Sequence, residues 1–453
     1  MNIGKKVFFD NRLAPFLLLT LIVFSWALYP FTVSWIFPWH VRAVVVLLWV
    51  LFIISAFLFR AQCNIRELSW PSYIKYFAIL ISVYFIALSV PTFMSENKVP
   101  VSAYYYLSLG SKYVFLGMLL FFVNKRILYS SLRIYTALCV VLAMLSLVNV
   151  LGLYMQWWWS LEPKLILQGV ESPRLMLISW SGFDGMARIF GAHPLACRIQ
   201  SYSIEPAAFA LALLPAVFWE MFIGKNKIKL VILLIGLAAT WSFGALLLMI
   251  LIGLLALALS IKKEARFDVG ITLLVACLVT VGAQTYVGNV LNDEIQNPEF
   301  LPQDPLGLAV DSLSAVEVLN MGNKGGSFQQ RVIDIGIAIE YLKEHPLGSG
   351  AGEGRRVTHS FLSVGYANAA VESGVVGGIV YNLAYLILVF GILGSLYGHW
   401  SCQTLTSRLT IVYGLSVLMC ILFGFQREQP DSSLWFMWLL SGYLFLSMRK
   451  LNR

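Results

Sequence analysis

The chain has 453 residues, of which 59% are hydrophobic and 12% charged, and its mean hydropathy is +0.78. Soluble domains carry about twice that charged fraction, so the composition excludes an ordinary water-soluble protein and makes the bilayer the main solvent. The net charge of +9 does not mark a nucleic-acid binder, because the basic residues fall mostly in short clusters between apolar runs, where they set topology.

A membrane span needs about 20 apolar residues. In chain order such runs lie near 13–37, 41–59, 70–90, 104–123, 133–155, 204–223, 228–243, 245–261, 269–290, 366–397, 409–425 and 432–448. The first is too long for the core of a cleavable signal and is soon followed by another. The stretch 228–261 is almost uninterrupted and too long for one upright helix. Lys225, Lys227 and Lys229 precede it, and Lys262, Lys263 and Arg266 follow it, so both of its ends read as cytoplasmic. This predicts two short helices turning near Trp241-Ser242-Phe243-Gly244. A single long tilted helix is the alternative, and would invert the topology downstream. The expected fold is all-α: one transmembrane domain over 1–453 with about twelve transmembrane helices and both termini cytoplasmic.

Two large loops, 156–203 and 291–365, then lie on the opposite side. The first opens with Trp157-Trp158-Trp159, an interfacial anchor. The second holds a polar stretch from Asn292 to Gly326 and then a predicted helix from Ser327 to Glu344. Its apolar residues Val332, Ile335, Ile339 and Leu342 recur at helical spacing, giving an amphipathic segment. His345-Pro346-Leu347-Gly348 stops it. Of the six cysteines only Cys197 falls in an external loop, so no intramolecular disulfide is expected, and no Cys/His metal pattern is present.

Basic residues should be scarce on the external side, yet Arg174, Arg188, Arg198, Arg331, Arg355 and Arg356 all fall there. Arg forks match phosphate oxygens in bidentate fashion, so a membrane-held, phosphate-bearing substrate is the simplest physical reading. Three constellations carry or flank four of them, Arg198, Arg331, Arg355 and Arg356. Arg198 precedes Glu205-Pro206, where the first loop enters a span; the plainer alternative is that Glu205 caps that helix and pairs with Arg198. Arg331 stands fifteen residues before Pro346-Leu347-Gly348-Ser349-Gly350-Ala351-Gly352; the alternative is a solvated helix face followed by a turn. His359-Ser360-Phe361-Leu362 then leads to Glu372-Ser373-Gly374-Val375-Val376-Gly377. His is the side chain best placed to accept a proton near neutral pH, although an interfacial histidine bonded to backbone would look the same. Arg355 and Arg356 alone would be ordinary interface charges. Glu372 is a lone acid in an apolar run, where an ionisable group is functional by default.

In this order the three constellations resemble the O-antigen polymerase and O-antigen ligase superfamily of bacterial envelope polysaccharide assembly. The matching pattern is Arg198 with Glu205-Pro206, the Ser/Gly turn at Ser242-Phe243-Gly244, Arg331 with Pro346-Leu347-x-Gly-x-Gly, and His359 with Glu372-x-Gly-hydrophobic-hydrophobic-Gly. It spans 190–395. Ser360 departs from the family's usual Asn. The resemblance implies a GT-C-like, metal-independent, cofactor-free inverting glycosyltransferase in the bacterial inner membrane, with its active site at the periplasmic face. The implied donor is a glycan on undecaprenyl pyrophosphate. A polymerase moves it to a lipid-linked repeat unit, and a ligase moves it to lipid A-core. Glu205-Pro206 followed by Phe209 is closer to the polymerase branch. The roles implied are His359 or Glu205 as base, Arg198, Arg331, Arg188, Arg355 and Arg356 on the pyrophosphate, and Glu372, Pro206 and Arg174 in support. A chain-length regulator is the family's expected protein partner. A lipid flippase or transporter is the reading from another class; it predicts mid-span charges and symmetric halves, whereas here the charges gather at one interface.

Overall fold

The computed structural model describes residues 70–94, 99–123, 125–154, 164–167, 170–173, 179–182, 197–201, 206–240, 242–263, 266–296, 324–358, 364–424, 429–432 and 434–448. The expected spans at 13–37 and 41–59 lie outside them. The helices in chain order are α1 (Ser72–Met94), α2 (Val99–Phe122), α3 (Lys125–Tyr154), α4 (Pro206–Trp219), α5 (Lys227–Ala239), α6 (Phe243–Lys263), α7 (Phe267–Gln296), α8 (Lys324–Glu344), α9 (Gly354–Val357), α10 (Gly365–His399), α11 (Leu405–Phe423) and α12 (Leu434–Met448). Among the described residues, six helical segments are long and apolar enough to cross a membrane: Ser72–Met94, Lys125–Val148, Ala207–Gly224, Gly244–Lys263, Gly365–His399 and Leu405–Phe423. Phe267–Ala283 and Leu434–Met448 are shorter apolar helices. This is the architecture of a multi-pass helical membrane protein, since a helix satisfies its own backbone where lipid offers no hydrogen bonds.

The first large loop is not wholly irregular, as the all-α reading leaves it. Strands β1 (Lys164–Leu167) and β2 (Val170–Pro173) pair antiparallel, as do β3 (Ser179–Gly182) and β4 (Cys197–Ser201). A loop outside an apolar run still needs partners for its backbone groups, and two-stranded ribbons supply them.

The chain divides into two compact units. In the second, residues 135–328, α4 is buried on nearly every side because Phe209, Ala210, Ala212, Leu213, Leu214 and Val217 leave it no polar face. Tyr135 of α3 donates to the Ala212 carbonyl at 2.8 Å. A π turn, Glu220–Gly224, ends α4, and Asn226 caps α5 by accepting from the Lys229 amide at 3.1 Å. The long apolar stretch is two helices rather than one, α5 ending at Ala239 and α6 beginning at Phe243. There the Thr240 hydroxyl turns back to the Leu237 carbonyl at 2.7 Å, and the Ser242 hydroxyl accepts from the Ala245 amide at 3.3 Å, opening α6.

The first unit holds α1, α2, the start of α3, α8 from residue 329, and α9 to α12. Helices α11 and α12 are apolar all round and buried along almost their whole length. Helix α1 packs along α10 through Tyr84 on Tyr381, with ring centroids 4.7 Å apart, and Phe77 on Tyr385 at 5.8 Å. The run expected as one span at 366–397 is two helical pieces. Gly374 has φ 77° and ψ −178°, a conformation open essentially to glycine alone, so the long span begins at Val375 and a short helix, 365–373, precedes it.

Candidate functional site

The break at Gly374 is built jointly with the Pro346–Gly352 loop. In an unbroken helix the Val371 carbonyl would accept from the Val375 amide. Instead the Val375 amide donates to the Pro346 carbonyl at 3.0 Å, and the Val371 carbonyl accepts from the Ser349 amide at 2.9 Å. The Glu372 carbonyl accepts from the Gly350 amide at 2.9 Å. The loop thus takes up the Val371 and Glu372 carbonyls and the Val375 amide at the break. The approach is close enough that a side chain at Gly348 (φ +87°) would strike the backbone of Glu372 and Gly374, and one at Gly374 would strike that of Pro346 and Leu347. Two motifs that the sequence separates by some twenty residues are therefore one interlocked object.

That object is anchored on α1 and α2. The Ala351 amide donates to the Thr92 hydroxyl at 3.1 Å, while that hydroxyl donates to the Leu88 carbonyl at 2.6 Å. Ser102 donates to Glu353 at 3.4 Å, and both are buried. Helix α8 reaches the same place through Ala338, Ile337 and Tyr341, which pack with Val357, Ala367 and Val371.

Of the sequence-derived site residues, Arg331 and Glu372 are fully described: Glu372 belongs to this assembly, and Arg331 lies on α8, about two turns before the residues that pack against it. Arg331 is half-buried on α8, one turn before the fully buried Asp334. Burial lowers the Arg331 pKa, and the Asp334 charge works against that shift. Glu372 is buried at the end of the 365–373 helix, where its carboxylate accepts from the Asn368 amide group at 2.9 Å. Its place is therefore at a helix break, not within a continuous span. Arg355 and Arg356 lie on α9, directly after buried Glu353. Arg198 is on β4, its backbone opposite Ser181, in the other unit. Pro206 opens α4, the first-turn position proline favours. His359, Glu205, Arg174 and Arg188 lie outside the described residues.

Another buried carboxyl of the first unit is absent from the sequence-derived site. Asp431, in a single 3₁₀ turn (Pro430–Ser432) before α12, is fully buried. Tyr113 donates to it at 2.8 Å and Tyr381 at 2.9 Å, and Tyr113 and Tyr385 share a hydroxyl contact at 3.2 Å. Burial pushes the Asp431 carboxyl above the ordinary carboxylate range, against the lowering effect of Tyr113, Lys112 and Tyr381. The legible signal was Lys112, a lone cation inside the apolar run 104–123, whose natural partner is an acid. Asp431 itself sat at the edge of a span, where a charge is unremarkable.

No protein-family model matches the chain, and no curated protein matches it with significance.

Proposed function

We propose that this protein is a surface-polysaccharide polymerase of the O-antigen type, a twelve-span, GT-C-like inverting glycosyltransferase of the bacterial inner membrane, with its site on the periplasmic face. The observation that carries the reading is the interlock of Pro346–Gly352 with the break at Gly374. It makes one object out of two of the motifs that resemble that family, with Glu372 within it and Arg331, Arg355 and Arg356 on the helices that precede and follow the loop.

In the proposed reaction an acceptor sugar hydroxyl attacks the anomeric carbon of the donor glycan. The bond from that carbon to the pyrophosphate oxygen breaks, and undecaprenyl pyrophosphate leaves with the electron pair. Arg331 and Arg198, helped by Arg188, Arg355 and Arg356, stabilise the charge that develops there. The hydroxyl proton passes to His359, with Glu205 as the rival base, for an effect of ~10²–10⁴-fold. Glu372 and Pro206 hold backbone, and Arg174 supports the first loop. A regulator of chain length is the expected protein partner, and the undecaprenyl-linked oligosaccharide is the substrate.

The test is deletion of the gene followed by gel analysis of lipopolysaccharide. Core carrying a single repeat unit, with all longer chains lost, is the expected pattern. Bare core with long chains held on the lipid carrier would replace polymerase by ligase, and an unchanged ladder would remove both. In a complemented strain, His359→Ala should abolish long chains while protein levels hold; normal chains would end the role given to His359.

A further inference from the structure

Helix α8 is amphipathic in the reverse sense from a helix on a soluble protein. The face it turns towards the first unit carries Arg331, Asp334, Ala338 and Tyr341, with Asp334 and Ala338 fully covered. The adjoining exposed side carries Val332, Ile335 and Ile339, which are 55%, 43% and 52% exposed, and Ile333 is exposed as well. The predicted apolar stripe is therefore present at its predicted spacing, but only Leu342 of its four members is half-buried. A helix in water turns such a stripe towards the protein. Turning it outward is stable where the surroundings are themselves apolar.

The position of the helix says which surroundings these are. The turn after α8 is bonded to the Pro91–Met94 end of α1 and to the start of the long span at Val375. There exposed Leu347 adjoins the first residues of that span, whose Val375, Val376 and Ile379 are also exposed. The exposed apolar surface at the start of a membrane-spanning helix thus includes Leu347, in the turn that follows α8. Helix α8 is no span itself, since Arg331, Asp334, Glu340, Lys343 and Glu344 break its apolar character. On its outer side the apolar stripe gives way, one turn on, to Lys343 paired with Glu340 at 2.6 Å, both exposed. Apolar residues followed by a charged pair on one face suit a helix lying in the interface, with hydrocarbon under one part and headgroups at the other.

We propose that α8 lies in the membrane interface and that the bilayer is the occupant of its Val332–Ile335–Ile339 face. Arg331 and Asp334 then sit on the protein side of a helix whose other side is lipid. The inference holds whether or not the chain transfers sugars.

The experiment uses the full chain reconstituted in vesicles of phosphatidylethanolamine and phosphatidylglycerol. A benzophenone amino acid is placed singly at Val332, Ile335 or Ile339, at Ile379 as a span control, and at Lys343 as a headgroup-level control. After irradiation, adducts are identified by mass spectrometry. Phospholipid adducts at Val332, Ile335 and Ile339, attached through acyl chains as at Ile379, are expected. Adducts to peptides of the same chain or of a second copy would overturn the proposal, because the face would then be a protein contact. Absence of adducts at these three sites while Ile379 labels lipid would overturn it too. Each variant is scored only if it elutes with the parent protein on gel filtration, and since the three sites are exposed, such elution is expected.

Discussion

Glu372 and Asp431 are buried carboxyls of the same unit, but the chain secures the two places by different means. Around Glu372 the work is done by backbone: three backbone hydrogen bonds join the Pro346–Gly352 loop to the break at Gly374, and the carboxylate itself has the Asn368 amide group. Around Asp431 it is done by side chains, because two tyrosine hydroxyls from α2 and α10 converge on one carboxyl. Backbone geometry tolerates few substitutions at one or two glycines, whereas a side-chain network degrades one hydrogen bond at a time. The first kind of site can be fixed in space without constraining which charge sits in it. The second ties helices together through the acid itself.

The contrast is sharpest at Gly374. Gly374→Val forces a β-branched residue into a region costing of order 1–3 kcal/mol even without a clash, and its side chain also meets the Pro346 and Leu347 carbonyls. The expected outcome is the largest loss of stability in the first unit, read as loss of monodisperse protein on thermal challenge in detergent. A variant melting with the parent would mean that the backbone interlock is not what secures this end. Asp431→Ala comes next. It leaves the Tyr113 and Tyr381 hydroxyls without their acceptor, for a cost of about 2–4 kcal/mol, while Asp431→Asn keeps one acceptor oxygen and should cost about 1 kcal/mol. Equal losses in the two variants would show that the carboxyl's charge, and not its acceptor role, matters.

Asp431 also separates the two places by pH. Burial holds its carboxyl above the ordinary range, so between the unfolded and the folded value the folded protein retains a proton that the unfolded chain has released. Its contribution is full below the unfolded value and falls as pH rises towards the folded one. The melting temperature of the parent should therefore decline across that window, and that of Asp431→Asn should lack this component; parallel profiles would contradict it. A smaller effect than at Gly374→Val or Asp431→Ala is expected at Thr92→Val, which takes one acceptor from the Ala351 amide and should cost about 1–2 kcal/mol, because the other bonds of the loop remain. A loss matching Gly374→Val would make Thr92, rather than the glycine, the anchor.

Much of the helical layout was legible from hydropathy. The runs at 70–90, 104–123, 409–425 and 432–448 correspond to α1, α2, α11 and α12 within a few residues at most ends. Helix α3 begins at Lys125 rather than 133, because its first turns carry Lys125, Arg126 and Arg133 and so leave the apolar window before the helix ends. The break at Gly374 was not legible. Glycine is common inside transmembrane helices, and what makes this one a break is the loop that meets it. Strands β1 to β4 were missed because strands of four or five residues give too short a period to read.

By itself the sequence determined that the chain lives in a membrane, where most of its spans fall, and which arginines and acids stand out of place. Those follow from transfer free energies, which act residue by residue. Only the tertiary structure decided that Pro346–Gly352 and Glu372–Gly377 are one object, that Asp431 is a buried acid held by tyrosines, and that α8 turns its polar face inward. Each depends on which group meets which across the chain, and partners remote in sequence leave no local trace in it.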